Sequence, residues 1–196
     1  MSIRLVVLLA AALLGACSSS SQQRPEEESH PPGAESNPVT RARLEARVQN
    51  IKYQTGTTLI SNLERIAAYG EQAIPVVIEG LKDADPMTRM GCSYVLGRIG
   101  NTKTVPHLVP MLQDEVAFVR YEAAAALGAM GSRAGYPVLV SGLSDERIQY
   151  RFKCIEALQD FTGQNFGYQH NAAPEARAVA VQQWESWLAR VRSEEM

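Results

Sequence analysis

Three histidines and three cysteines are the chain's softest ligands and nucleophiles, and none stands in a metal-binding or catalytic spacing. His30 lies among Ser, Pro and Glu, His107 in VPHLVP and His170 in GYQHNA. No HxH, HExxH or CxxC surrounds them, so metal ligation has no motif. Ser141, in VSGLSD, lacks a base partner, and the chain has no GxSxG, Walker or GxGxxG sequence. Nothing here assembles nucleophile, base and oxyanion donor. The expectation is no catalytic residue, no metal and no cofactor.

What does recur is a set of columns 31 residues apart: Pro75, Pro106 and Pro137; Leu81, Leu112 and Leu143; Asp83, Asp114 and Asp145; Arg89, Arg120 and Arg151; Leu96, Leu127 and Leu158. Gly97 matches Gly128 and Gly100 matches Gly131. A fixed period of this length is the signature of stacked helical units. Each unit reads as a short helix A (VPHLVPMLQ, 105–113), a turn carrying Asp, and a longer helix B (VAFVRYEAAAALGAM, 116–130) closed by glycine. The small residues of helix B predict close approach of helix axes, at the tight end of the usual ~8–10 Å. Gly97 and Gly128 open the flank where the next helix crowds in.

Upstream, LISNLERIAAYG (59–70) repeats the end of a helix B, and Leu44, Val48 and Ile51 share a helical face. Residues 39–70 therefore read as a degenerate capping pair, and 71–163 as the repeats. Residues 164–196 read as an aromatic loop and a capping helix that begins at Pro174, with Ala180, Trp184, Trp187, Leu188 and Val191 on one stripe. The fold class is all-α, a solenoid of about four helical pairs plus a C-terminal helix.

The units resemble HEAT repeats, in particular the short bacterial kind seen in phycobilisome-lyase-like proteins. The Pro of helix A, the turn Asp, the early Arg of helix B and LGxxG at 96–100 and 127–131 carry the resemblance; LQDFTG departs from it in the third unit. The resemblance implies an internal ladder of Asp83, Asp114 and Asp145 with Arg89, Arg120 and Arg151, each Asp receiving bonds from neighbouring units. It also implies a concave side lined by B helices, where Met87, Met90, Tyr94, Phe118, Tyr121 and Phe152 project as candidate partner anchors. The loop FTGQNFGYQH and the following helix, with Arg177 and two Trp three apart, resemble a tail found after such repeats in some bacterial envelope proteins. Phe166, Tyr168, Trp184 and Trp187 are expected to plug the open end of the stack. Cys92 and Cys154 share a column two units apart, on the order of 20 Å, too far for a disulfide that needs Cα atoms within about 7 Å. Both are expected to be free and buried.

The first sixteen residues read as a signal, Arg4 before the apolar LVVLLAAALL. LGAC (14–17) resembles the lipobox of bacterial lipoproteins, which implies lipid on Cys17 and cleavage before it. Two or more acyl chains give durable anchoring where one does not. Ser18 at the next position resembles an outer-membrane address in the sorting rule of enteric bacteria. Residues 17–38 are Ser, Pro, Glu and Gln with almost nothing apolar, a tether by composition. The acidic excess sits there, and positions 39–196 are electrically balanced with no basic stripe, which excludes nucleic acid as the expected partner. The leading expectation is a lipid-anchored, periplasm-facing adaptor in the bacterial envelope, on the outer in preference to the inner membrane, holding an envelope protein or peptide. The alternatives are a lyase-like enzyme or assembly factor, and a purely structural spacer.

Overall fold

A computed structural model describes residues 37–193. Every regular element among them is helical: α1 (Pro38–Gln49), α2 (Gly56–Ala67), α3 (Ile74–Gly80), α4 (Pro86–Ile99), α5 (Val105–Leu108), α6 (Ala117–Ala129), α7 (Tyr136–Gly142), α8 (Ile148–Thr162) and α9 (Pro174–Ser193). Residues 1–36, which hold the signal, Cys17, Ser18, His30 and the tether, lie outside the described residues.

The pairs α1/α2, α3/α4, α5/α6 and α7/α8 stack so that the B helices α2, α4, α6 and α8 form a row, each touching the next. The A helices pack behind them, and α9 lies against α7. The chain is an all-α solenoid.

The recurring residues build this locally. Pro75, Pro106 and Pro137 each stand at the start of an A helix, where a missing N–H costs nothing. Leu96, Leu127 and Leu158 are fully buried between layers. Removing one such side chain costs about 2–5 kcal/mol. Helix α4 ends on Gly100 and α8 on Gly163, both left-handed, at φ 71° and 65°. The LQDFTG departure is thus an extension: α8 closes on the same kind of glycine, further along.

One element differs from expectation. The A segment of the second repeat is not one helix over 105–113 but the single turn α5 followed by a 3-10 turn, Val109–Gln113. Pro110 is the cause. It has no N–H to return to the carbonyl of Pro106, and its ring clashes there.

The axes close as the small residues require. A β-carbon on Gly97 would stand 2.9 Å from both Cα and Cβ of Ala126, so α4 and α6 meet nearly backbone to backbone. A β-carbon on Gly128 would overlap the Phe161 ring of α8.

Candidate functional site

The turn edge of the stack repeats one construction three times. Each turn Asp uses Oδ1 to accept a backbone N–H two residues on: Asp85 to Asp83, Val116 to Asp114 and Arg147 to Asp145, each at 2.9 Å. Each column Arg donates Nη1 back to two carbonyls of its own turn: Arg89 to Asp83 and Ala84, Arg120 to Asp114 and Glu115, Arg151 to Asp145 and Glu146.

The outward edge of each guanidinium is used differently. Arg89 grips the Asp114 carboxylate with two parallel bonds, Nε to Oδ2 at 2.7 Å and Nη2 to Oδ1 at 2.9 Å. Burial pushes the Asp114 carboxyl upward, but the bonds from Arg89 and the Val116 N–H, with the charges of Arg89 and Arg120, outweigh it and hold the group below its usual range. At the next junction Tyr121 donates its hydroxyl to Asp145 Oδ2 at 2.9 Å. At the last, Arg151 Nε donates to the carbonyl of His170 at 2.8 Å. At the first, Gln49 Nε2 reaches Asp83 Oδ2 at 3.4 Å. The expected Arg–Asp ladder is therefore a single cross-unit rung, with other donors serving Asp83 and Asp145.

The side chains expected as partner anchors lie along the B helices at different depths. Tyr121 is buried: its ring lies against Gly142 of α7 and its hydroxyl is committed to Asp145. It is a packing residue, and burial with the Asp145 bond pushes its phenol strongly upward. Met87 and Met90 are half-buried against the core. Tyr94, also half-buried, donates its hydroxyl to Glu64 of α2, which Arg98 also contacts at 3.1 Å. Those bonds, Tyr94 first, lower the Glu64 carboxyl. Burial and Glu64 together push the Tyr94 phenol up to about 12. Phe118 is half-buried and tilts against Tyr150 at 6.5 Å, while Phe152 is 47% exposed and meets the His170 ring edge-on at 5.0 Å.

The structure adds members that the 31-residue columns hide. Ile60, 57% exposed on α2, stands in the column of Met90, Tyr121 and Phe152, but one residue out of step because the first pair is offset by 30. Glu122 and Lys153 pair across α6 and α8 at 2.7 Å. Tyr150 packs on Tyr121 at 5.7 Å and lies under the Arg147 guanidinium at 4.4 Å.

Away from this face, Cys92 and Cys154 are free and buried, and burial pushes both thiols up to about 12. A β-carbon on Gly80 or Gly142 would collide with their sulfurs. His107 is exposed on α5 and Ser141 on α7. Among the described residues no group of His, Cys, Asp and Glu could hold a metal ion, and no helix is long and apolar enough to cross a membrane. At the C-terminal end Trp184 is fully buried, edge-on to Phe166 at 4.8 Å and to Trp187 at 5.5 Å. Trp187 reaches Tyr136 of α7 at 5.8 Å, and the Tyr168 hydroxyl donates to the Leu143 carbonyl. Arg177 ties the loop by donating to the Ala172 carbonyl at 2.6 Å.

Stacked pairs, proline-led A helices and an Asp–Arg turn edge define an α-solenoid repeat scaffold. The family model for HEAT repeats matches residues 57–122 and 74–159, together more than half of the chain, and the protein belongs to that family. No curated protein matches it. It is similar to the structure of human deoxyhypusine hydroxylase in complex with glycerol, at 24% identity and a TM-score of 0.45 over 68% of this chain. The chain spans 47% of that protein's length.

Proposed function

We propose that the chain is a membrane-tethered adaptor that holds an envelope protein or peptide against the outer face of its helix B row. The observation that carries this is the apolar strip crossing that face: Ile60 on α2, Met87 and Met90 on α4, Phe118 on α6 and Phe152 on α8, with Ile60 and Phe152 about half exposed. Scattered exposed hydrophobics need no explanation, whereas a strip over four neighbouring helices is the kind of surface on which partners anchor. The polar groups beside it are paired with one another: Glu64 with Tyr94 and Arg98, Glu122 with Lys153. Desolvating the strip therefore strands few charges. The tether reading rests on LGAC and the residues after it: lipid on Cys17, an outer-membrane address from Ser18, and binding helped by the raised local concentration that tethering gives.

The test is affinity capture with the tagged full chain from detergent-solubilised envelope. A stoichiometric protein partner that is lost with Phe118→Asp/Phe152→Asp, at unchanged helicity, is the expected result. Peptidoglycan alone, or a co-purified small molecule that the protein turns over, would overturn it. Cys17→Ser is expected to abolish labelled palmitate incorporation and release the chain from membranes.

A further inference from the structure

The three column arginines share one backbone setting, and two of them have filled the edge formed by Nε and Nη2. Arg89 holds a carboxylate there and Arg151 a carbonyl. Arg120 does neither. Its Nη1 is held by the carbonyls of Asp114 and Glu115 at 2.7 and 3.1 Å, which fixes the guanidinium, while no described residue accepts from its Nε or Nη2. The residue is half-buried, and neither Nε nor Nη2 is sealed from solvent, so the edge remains reachable. The register gives the reason. Asp145 stands to Arg120 as Asp114 stands to Arg89, but Asp145 Oδ2, the oxygen that corresponds to the one Arg89 Nε grips, accepts the Tyr121 hydroxyl instead.

We infer that Arg120 is a docking point for an aspartate or glutamate side chain of a partner's peptide segment, kept open by the hold of Tyr121 on Asp145. The incoming carboxylate takes on Arg120 the position that Asp114 takes on Arg89. A planar carboxylate matches the paired N–H donors of a guanidinium edge, and prior fixing of the Arg lowers the cost of ordering it. A dianion fits worse. Arg120 bonds the backbone carbonyls of the acidic residues Asp114 and Glu115, and the Asp145 carboxylate sits on the adjacent Tyr121 hydroxyl, so a second negative charge on the ligand meets more repulsion than a single one. Phe118 and Tyr150, which pack together at the same end of α6 and α8, supply apolar surface for the residues flanking the acidic one. The inference rests on the interaction-module reading, and the two fail separately, because binding at Arg120 is read on the protein with no partner present.

The experiment is an NMR titration of the 15N-labelled full chain, in mild detergent at pH 6, with the capped peptide Ac-Leu-Asp-Leu-NH2. The readout is the Arg120 Nε–H resonance, assigned by its loss in Arg120→Gln. A saturable shift is expected, with the Asn counterpart of the peptide about tenfold weaker and inorganic phosphate no stronger. Tyr121→Phe frees Asp145 to close on Arg120, so it is expected to weaken the peptide several-fold without loss of fold. Tyr121→Phe/Asp145→Asn is expected to restore binding. No saturable shift, an equal response to the Asn peptide, phosphate binding more tightly, or wild-type affinity in Tyr121→Phe would each overturn the inference.

Discussion

The junction between α4 and α6 and the junction between α6 and α8 begin from the same sequence columns and close by different physics. At the first, Gly97 brings the backbones together and Arg89 locks the turn edge through Asp114, both side chains about 10% exposed or less. At the second, Gly128 admits the Phe161 ring, Tyr121 and Tyr150 fill the space, and Asp145 receives a phenol instead of a guanidinium. Repeat identity therefore fixes where the helices lie but leaves each interface free to choose its chemistry. The largest effect should follow from breaking the ion-paired rung. Arg89→Met leaves Asp114 buried without its partner and is expected to cost about 3–5 kcal/mol, read as a drop in Tm of roughly 6–20 °C. Arg120→Met loses the same two turn carbonyl bonds but no ion pair, and is expected to cost only about 1–2 kcal/mol. Equal effects would erase the distinction between the junctions.

The same rung sets an acid dependence. The Asp114 carboxyl sits below its ordinary value in the folded protein. Its contribution is therefore complete above the unfolded value of about 3.9 and is lost as pH falls from there through the folded value. Asp114→Asn is expected to lower stability at neutral pH and to flatten its fall below about pH 3.9, measured by denaturant melts across the acid range. Asp145→Asn, which keeps an acceptor for the Tyr121 hydroxyl, tests whether that slope belongs to the first junction.

Much of this architecture is legible in the residue order because helical pairs recur with one period, and the Pro, Leu, Asp, Arg and Gly columns each have one local job. Legibility fails where a residue's fate depends on its neighbour in the next unit. Met90, Tyr121 and Phe152 occupy one column and meet three fates, half-buried, buried and exposed. Tyr121 is buried because Gly142 leaves room for its ring and Asp145 takes its hydroxyl. Met111 stands in the Gly142 position one unit earlier, so Met90 has no such recess. Phe152 looks onto the loop of His170, which no column describes. Ile60 escaped because the first pair is offset by one residue, and Pro110 broke a helix that the period alone would have continued.

Glycine substitutions test the two closures at a smaller scale. Gly97→Ala pushes a β-carbon into the backbone of Ala126, which cannot turn aside, and a net cost of about 1–2 kcal/mol is expected after the helix-propensity gain of nearly 1 kcal/mol. Gly128→Ala meets the half-buried Phe161 ring, a side chain and not backbone. Its net cost is expected to stay below about 1 kcal/mol. Chemical denaturation of the two variants side by side separates them.

The smallest expected difference, between two coupling energies, concerns how bulk is shared between an A helix and its own B helix. Gly80 faces Cys92 and Gly142 faces Cys154, whereas the middle unit carries Met111 and Ala123 at those positions, the large side chain having changed sides. A β-carbon on Gly80 would sit 2.4 Å from the Cys92 sulfur, so Gly80→Ala alone is expected to cost about 1–3 kcal/mol as overpacking. Cys92→Ala alone leaves a small void worth about 1 kcal/mol. Together they exchange one atom for another, and the double variant is expected to recover about 1 kcal/mol relative to the sum of the singles. The corresponding cycle at Gly142 and Cys154 should recover less. There the added carbon would also stand 2.8 Å from the Tyr121 ring, which removal of the sulfur does not move, whereas at Gly80 the second neighbour is the Val48 methyl at 3.0 Å. Equal recovery in both cycles would show that Tyr121 yields easily, and the second junction would then owe its closure to Phe161 and the Glu122–Lys153 pair instead.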